Sequence, residues 1–226
     1  MFSIVIPVFN EARNIEKLLL EIEKSLINFT EYEIILVNDA SIDDTVSVIK
    51  KINIKNIKII NNLTNKGQSY SIFKGIKNSK NETIVTLDGD GQNDPADIPK
   101  LHNLYISNQE VKLVGGIRRN RKDSFIKRIS SKIANYIRSK ILEDGCEDTG
   151  CSLKVFNRKI FLSFPFFNGV HRFLPALFRG FGHQTLFVDV NHRKRNYGIS
   201  KYGTMNRLFA GIKDIIKVKK ILKNKL

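Results

Sequence analysis

Short β-branched, apolar runs alternate with amphipathic segments through the first part of the chain, and that alternation limits the folds open to it. Phe2 to Val8 reads as a strand. A helix follows from about Ala12 to Ile27, with Ile15, Leu18, Leu19, Ile22 and Leu26 on one face. Glu33 to Val37 and Asn56 to Ile60 read as further strands. Between them Asp43-Asp44-Thr45 opens a helix with Val46, Ile49 and Ile52 inward, and Gln68 to Asn78 is helical. Thr83-Ile84-Val85-Thr86-Leu87 is the next strand. This repetition predicts right-handed βαβ units and a parallel sheet, whose ligands lie beyond the carboxyl ends of the strands. Each strand ends in polar residues: Asn10 and Glu11, then Asn38 and Asp39, then Asn65, then Asp88 and Asp90. Such ends, gathered along one edge, define a site.

The last of these ends carries the most chemistry. In Asp88-Gly89-Asp90-Gly91-Gln92, two carboxylates stand two residues apart, and the glycines allow a tight turn. Hard oxygen ligands of that kind suit Mg²⁺ or Mn²⁺, which share coordination with a substrate diphosphate. A solvated Asp/Gly turn is the plainer alternative for these residues alone. A dinucleotide fingerprint is absent, because Pro7-Val8-Phe9-Asn10-Glu11-Ala12 stands where Gly-x-Gly-x-x-Gly belongs, and there is no P-loop.

After Pro95 the pattern gives a helix to about Ser107, then a strand from Lys112 to Ile117, then the basic residues Arg118, Arg119, Arg121 and Lys122. From Ser124 to Leu142 an apolar stripe (Phe125, Ile129, Ile133, Tyr136, Ile137, Ile141) runs among basic residues, as in a helix at a membrane surface or a solvated surface helix. Leu153 to Phe156 and Thr185 to Val190 read as strands, and the aromatic block from Phe161 to Phe181 contains no Asp or Glu. His192-Arg193-Lys194-Arg195 starts a basic loop that runs through Lys201. A basic helix closes the sequence, with Leu208, Ile212, Ile215, Ile216, Ile221 and Leu222 expected inward. The expected organisation is one domain over 1–203 and an amphipathic basic helix over 204–226 that meets a membrane surface or a partner.

No run approaches the ~18 apolar residues of a membrane span, and the N-terminus, without a basic leader, reads as no signal peptide. Cys146 and Cys151 match no zinc spacing and read as a reduced pair. The net charge of +16 and pI ≈ 9.8 call for anionic partners: nucleic acid, an anionic membrane, or phosphorylated substrates. A nucleic-acid binder would interleave basic residues with stacking aromatics. Here the aromatics sit in apolar blocks such as Phe161-Leu162-Ser163-Phe164-Pro165-Phe166-Phe167, so no specific nucleic-acid partner is expected.

Ile6-Pro7-Val8-Phe9-Asn10-Glu11, Val37-Asn38-Asp39-Ala40-Ser41-Ile42-Asp43 and Leu87-Asp88-Gly89-Asp90-Gly91-Gln92 resemble the family 2 glycosyltransferases of the GT-A fold. Arg118 through Asn135, Asp148-Thr149-Gly150-Cys151-Ser152-Leu153-Lys154 and His192 through Tyr202 are similar to the dolichol-phosphate mannosyltransferase-like branch. That branch transfers a sugar from a nucleotide sugar to a polyprenyl phosphate. The resemblance spans Phe2 to roughly Gly203 and implies a mixed, mainly parallel α/β sheet flanked by helices. It implies that Pro7, Val8, Asn10, Glu11, Asn38, Asp39, Asp43, Gly67 and Gly89 line the nucleotide-sugar pocket with Asp88 and Asp90. Asp88, Asp90 and Gln92 would hold Mg²⁺ or Mn²⁺. Arg118, Arg119, Arg121, Ser131, Asn135, Arg172 and Ser200 would face the acceptor phosphate, and Arg195, Ser200 and Lys201 would sit on a loop closing over the phosphates. The implied catalytic set is Asp88, Asp90, Arg118, Arg195 and Lys201. Two departures stand out: Asn38 replaces a second Asp found in many relatives, and Gly89 and Gly91 replace bulkier residues.

A sugar hydroxyl needs a carboxylate base, whereas a phosphate monoester is already anionic and needs cations to approach a diphosphate. With His171-Arg172-Phe173 where a base would be expected, the reading is inverting transfer of a mannose- or glucose-like sugar from a GDP- or UDP-sugar to dolichyl or undecaprenyl phosphate. The enzyme is expected peripherally on the cytoplasmic face of the membrane, with a separate membrane-protein subunit as a further candidate partner. The rivals are a family 2 transferase acting on a sugar hydroxyl in surface polysaccharide or lipopolysaccharide synthesis and, more remotely, a non-enzymatic basic nucleic-acid-binding protein.

Overall fold

The computed structural model describes residues 1–119, 135–194 and 204–224, with 204–210 by backbone alone. Seven strands form one sheet: β1 (Phe2–Val8), β2 (Tyr32–Asn38), β3 (Ile57–Asn61), β4 (Thr83–Thr86), β5 (Val111–Arg118), β6 (Lys154–Asn157) and β7 (Gln184–Val190). Their spatial order is β3-β2-β1-β4-β6-β5-β7. β1 pairs in parallel with β2 and β4, β2 with β3, and β5 with β7. β6 is antiparallel to both its neighbours, β4 and β5.

That single reversal positions the site. Because β6 runs backwards between two strands of common direction, its amino end lies at the edge where β1, β2, β4, β5 and β7 finish. The loop that enters β6, residues 148–153, therefore joins the strand ends beside Asp88 and Arg118. The alternation of strands and helices predicts a parallel sheet and only the family resemblance implies a mixed one; neither says which strand is reversed, since a four-residue apolar strand reads the same in either direction.

Alternation along β1 sorts the core into two layers. Phe2, Ile4, Ile6 and Val8 face one layer with Ile15, Leu18, Leu19 and Ile22 of α1 (Ala12–Ser25), Ile49 of α2 (Thr45–Lys51) and Leu101 of α4 (Ile98–Ser107). Val5 faces the other with Ile72 and Ile76 of α3 (Gln68–Lys77), Phe161 of α6 (Arg158–Ser163) and Phe178 of α7 (Leu174–Gly180). Helix α1 stops at Ser25, short of the expected Ile27, because Leu26 and Phe29 close a turn and leave Ile27 81% exposed.

One helical face, that of the last helix, differs from the sequence reading. In α8 (Thr204–Lys223), Ile215, Ile221 and Leu222 pack inward as expected and Val218 joins them, fully buried. Ile212 and Ile216, expected inward, are exposed. The reason is rotation: Asp214 pairs with Arg172 at 2.7 Å and Leu222 lies over Gly180, which turns the Ile212/Ile216 side outward. In the described part of α5, residues 135–142, Leu142 and Arg138 point into the protein while Tyr136, Ile137 and Ile141 are exposed. Buried Arg138 is held by Asp144 at 2.7 Å and by the Cys146 carbonyl.

Helix α3 packs so closely on the sheet that a Cβ at Gly75 would come within 2.5 Å of Val5 Cγ1 and 3.0 Å of Val37 Cγ2. Alanine gains about 1 kcal/mol in helix propensity, but overpacking a core costs about 1–3 kcal/mol. Both atoms belong to β-branched side chains locked in the sheet, so the second term wins. Gly75→Ala is expected to lower the thermal midpoint by several degrees, read by calorimetry or circular dichroism.

Candidate active site

The ends of β1 and β2 are stitched to each other. The Asp39 amide donates to the Val8 carbonyl at 2.8 Å, the Asn10 amide to Ser41 Oγ at 3.0 Å, and the Ile42 amide to Asn10 Oδ1 at 2.9 Å. Asn10 and Ala40 both adopt left-handed backbone, with φ of 55° and 61°. For alanine this is a strained conformation, and the cross-links hold it. Glu11 is buried, its amide bonded to Thr45 Oγ1 and its carboxylate to Asn14, while Asp43 accepts from the Ala12 and Thr45 amides. Pro7 and Val8 lie beside Val37 and Asn38 in register. Asn38 donates to Asn61 Oδ1 at 2.9 Å, so the amide found in place of a second acid extends the β2–β3 pairing to the side chains.

Asp39 does a different job from its neighbours. Its oxygens accept from Asn62 Nδ2 at 2.7 Å, from the Lys66 amide at 2.8 Å and from the Gly67 amide at 2.8 Å. The carboxylate thus folds the 62–67 loop over the strand ends and sets Gly67, with φ 85°, at the start of α3. Gln68 in the next position donates to Asp88 Oδ1 at 2.7 Å.

The Asp88-Gly89-Asp90-Gly91 turn needs both glycines for separate reasons. A Cβ at Gly89 would stand 2.9 Å from Val8 Cγ1 and 3.1 Å from the Pro7 carbonyl, whereas Gly91 has φ 72° with open space around it. Desolvation and the nearby charge of Asp90 push the Asp88 carboxyl up to about 6, against the pull of Ser152, Lys154 and Arg118. Two carboxylates whose charges repel in a partly desolvated turn are a donor set that a hard dication relieves. Among the described residues no group of three or more His, Cys, Asp or Glu gathers. Asp88 and Asp90 can therefore supply only part of a coordination shell, leaving positions for waters and a diphosphate. Gln92 lies beside them, its amide bonded to Asp90 Oδ1 at 3.1 Å.

Arg118, at the end of β5, is gripped by Asp148. Nε donates to Oδ2 at 2.7 Å, Nη2 to Oδ1 at 2.8 Å, and the backbone amide to Oδ2 at 3.1 Å. Burial pulls the guanidinium down, but the hydrogen bonds and charge of Asp148 hold it above its ordinary value. Nη1 carries no hydrogen bond among the described residues, and Arg118 acts through space on Asp88. Arg119 is exposed and paired with Asp189 and Glu147. Arg172 is paired with Asp214 of α8. Asn135 lies in the described part of α5, with its carbonyl 3.5 Å from Arg138 Nη2. Arg121, Ser131, Arg195, Ser200 and Lys201 lie outside the described residues.

The root of the basic loop is nevertheless fixed beside the acidic turn. Asn93 bridges to His192, the Arg193 amide donates to the Gln92 carbonyl at 2.8 Å, and Arg193 pairs with Asp94 and Glu21. Ser69 Oγ accepts from the Gly169 amide at 2.7 Å and meets His171 Nδ1 at 2.8 Å. Desolvation, with Arg172 and Lys154 adding, pushes the His171 imidazole down to about 3, so it is neutral. Burial pushes the Cys146 thiol up to about 12 and raises that of Cys151, leaving both protonated. Gln68 and Lys154 are not singled out by sequence reasoning. The signal for Lys154 is a lysine inside the apolar strand Lys154–Asn157 that is only 3% exposed.

With this geometry in place, residues 3–163 match the model of glycosyl transferase family 2. The chain belongs to that family. A dodecaprenyl-phosphate galacturonate synthase from Rhizobium johnstonii is 34% identical over 96% of this chain and 65% of its own length. An undecaprenyl-phosphate 4-deoxy-4-formamido-L-arabinose transferase from Aeromonas hydrophila is 32% identical over 91% of this chain and 64% of its own length. The chain thus spans just under two thirds of these curated relatives. Glucosyl-3-phosphoglycerate synthase from Mycobacterium tuberculosis, solved with Mn²⁺, UDP and phosphoglyceric acid, superposes with a TM-score of 0.73 at 19% identity, over 96% of this chain and 76% of that one. The same enzyme solved with Mg²⁺ and UDP gives 0.73 at 17%, over 95% and 79%. These likenesses establish the GT-A fold.

Because the folded pKa of His171 lies below the unfolded value of about 6.5, its contribution is complete above that pH and is lost as pH falls below it. The stability difference between the native chain and His171→Asn is expected to narrow by at least about 1 kcal/mol between pH 7 and pH 5. Urea unfolding at the two pH values measures it, and a constant difference contradicts a buried neutral imidazole.

Proposed function

We propose that this chain is an inverting glycosyltransferase that moves a sugar from a nucleotide sugar to the phosphate of a polyprenyl lipid. The observation that carries the reading is Arg118, clamped by Asp148 yet acting on Asp88 across the same sheet edge. A cation held rigidly next to a diphosphate-binding turn meets the main difficulty of this reaction, which is to bring two anionic reactants together. The acceptor phosphate oxygen forms a bond to the anomeric carbon while the bond from that carbon to the diphosphate breaks, the electron pair leaving with the nucleotide. No proton has to be taken from the nucleophile. This agrees with a site whose neighbouring carboxylate, Asp148, is spent on an arginine, and with a 161–181 block free of acids. The names of the relatives, a dodecaprenyl-phosphate synthase and an undecaprenyl-phosphate transferase, support a lipid phosphate acceptor.

Mg²⁺ or Mn²⁺, held through Asp88, Asp90 and Gln92, would neutralise charge developing on the departing diphosphate. Pro7, Val8, Asn10, Glu11, Asn38, Asp43 and Gly67 form the wall against which the nucleoside would lie, and Asp39 keeps that wall in shape. The solved neighbours hold UDP with either metal, so UDP-sugars are the first donors to test, with GDP-sugars the alternative. Arg195, Ser200 and Lys201 would close over the phosphates from a loop rooted at Arg193.

The acceptor also implies a membrane. Helices α5 and α8 both expose apolar side chains beside lysines: Tyr136, Ile137 and Ile141 near Lys140, and Ile212 and Ile216 near Lys213, Lys217 and Lys220. That pattern suits peripheral attachment to the cytoplasmic face. No helix among the described residues is long and apolar enough to cross a membrane.

Purified protein given labelled UDP- or GDP-sugar, Mn²⁺ and undecaprenyl phosphate is expected to put label into the lipid, and label appearing only on a hydroxyl acceptor overturns the reading. Asp90→Ala is expected to lower turnover at least about 10³-fold with loss of metal dependence. Asp94→Ala, which removes one of the two partners of Arg193 and the cap on the Ala96 amide, should cost less than about 10-fold. Ile137→Glu combined with Ile216→Glu is expected to weaken co-sedimentation with anionic vesicles about 10-fold, and unchanged binding excludes these faces.

A further inference from the structure

Lys154 is the buried charge that the transfer reaction, as proposed above, leaves unexplained. It opens β6 at the site's edge, in register with Thr86 of β4 on one side and Gly115 of β5 on the other, and is 3% exposed. Its ammonium donates to the carbonyls of Thr149, at 3.3 Å, and Cys151. The carboxylates of Asp148 and Asp88 act on it through space, and it acts in turn on His171. Burial pulls its pKa down and those carboxylates push it back up. A buried ammonium bonded by two carbonyls of one short turn is costly to build unless that turn has to be held.

What the turn holds is on both sides of the reaction centre. Residues 148–152 carry Asp148, which grips Arg118, and Ser152, which lies beside Asp88 and donates its hydroxyl proton to Asn93 Oδ1 at 2.6 Å. The Thr86 hydroxyl donates to the Ser152 carbonyl at 2.6 Å and fixes the turn's far end to β4. Lys154 grips the middle. We infer that Lys154 is a positioning residue: its buried ammonium fixes the 148–152 turn so that Arg118 and Asp88 stand in the relative geometry the two anionic reactants require. It touches neither reactant. The inference rests on the reaction proposed above for its kinetic arm and on the turn alone for its chemical arm.

The kinetic arm compares Lys154→Met, which keeps length and loses charge, with Lys154→Gln, which keeps a donor for the carbonyls. Turnover with UDP- or GDP-sugar, Mn²⁺ and undecaprenyl phosphate is expected to fall about 100-fold for Met and less for Gln, with the KM for the donor within about 2-fold. Adding Arg118→Lys to Lys154→Met should cost less than about 3-fold more, because the guanidinium is already displaced. Multiplying losses, or a fall confined to donor binding, overturns the inference. If the Met variant does not melt cooperatively, the Gln variant and its Arg118→Lys double carry the same comparison. The chemical arm needs no turnover: Cys146 and Cys151, both buried, should react with a thiol reagent about 10-fold faster in the Lys154 variants under native conditions. Unchanged labelling overturns the positioning role whatever the reaction. Native enzyme that transfers nothing to the lipid, with labelling accelerated in the variants, overturns the proposed function and leaves the turn's dependence on Lys154 standing.

Discussion

Two carboxylates in one tight turn, Asp88 and Asp90, repel each other in a setting that water reaches poorly, and the surrounding structure is arranged to tolerate that repulsion. Asp88 is held by Gln68 from the start of α3 and by Ser152 from the loop into β6, with Arg118 and Lys154 supplying positive charge behind it. Neither cation makes an ion pair with Asp88. Arg118 is turned toward Asp148, and Lys154 toward backbone carbonyls. Asp88 therefore keeps its negative charge close to that of Asp90 without an ion pair to either cation, a condition that favours a divalent ion, while the field of the cations limits the cost.

The reversed β6 makes this possible. In a wholly parallel sheet every loop entering a strand lies at the far edge from the ligand. Turning one strand around brings an entering loop, residues 148–153, to the carboxyl edge, and with it the side chains that grip Arg118 and support Asp88. The same edge receives the end of β7, so the root of the basic loop at Arg193 is tied to Gln92 and Asp94. The acidic turn, the 148–153 loop and the root of the basic loop are thus joined by hydrogen bonds and ion pairs at one edge of one sheet.

Much of this was legible beforehand, and the reasons for the gaps are physical. Period-2 and helical patterns place β1 to β4 and α1 to α4 within a few residues, because each element buries one face and so must repeat. The strand ends Asn10, Asp39 and Asp88 follow from the same reading. The direction of β6 does not, since direction leaves no mark on four residues. The face of α8 was misjudged at Ile212 and Ile216: a helix with apolar residues on two sides does not say which side meets protein, and the choice was made by Val218 with Asp214. Asp39 was legible as a site residue but not as the clasp of the 62–67 loop, because its donors are backbone amides, which every sequence has. Lys154 stood inside a recognisable block, yet its burial depends on β4 and β5 closing around it.

The distribution of positive charge bears on how a chain with a net charge of +16 can be selective. Among the described arginines, Arg118, Arg119, Arg138, Arg172 and Arg193 are all paired with carboxylates, and Arg158 donates to the carbonyls of Ile76 and Lys77. The planar guanidinium, with fixed donors, serves here as an internal pin. Lysines such as Lys140, Lys213, Lys219 and Lys220 remain exposed and carry the charge that solvent sees. A diffuse field from mobile ammonium groups attracts any anionic surface and weakens with salt. Under the proposed function, recognition of one phosphate would have to come from a cation that cannot move, and Arg118, fixed by three hydrogen bonds to Asp148 with no bond to Nη1 among the described residues, is such a cation. Attraction and selection are thereby assigned to different residue types: salt should weaken capture by a charged surface well before it disturbs the geometry at Arg118.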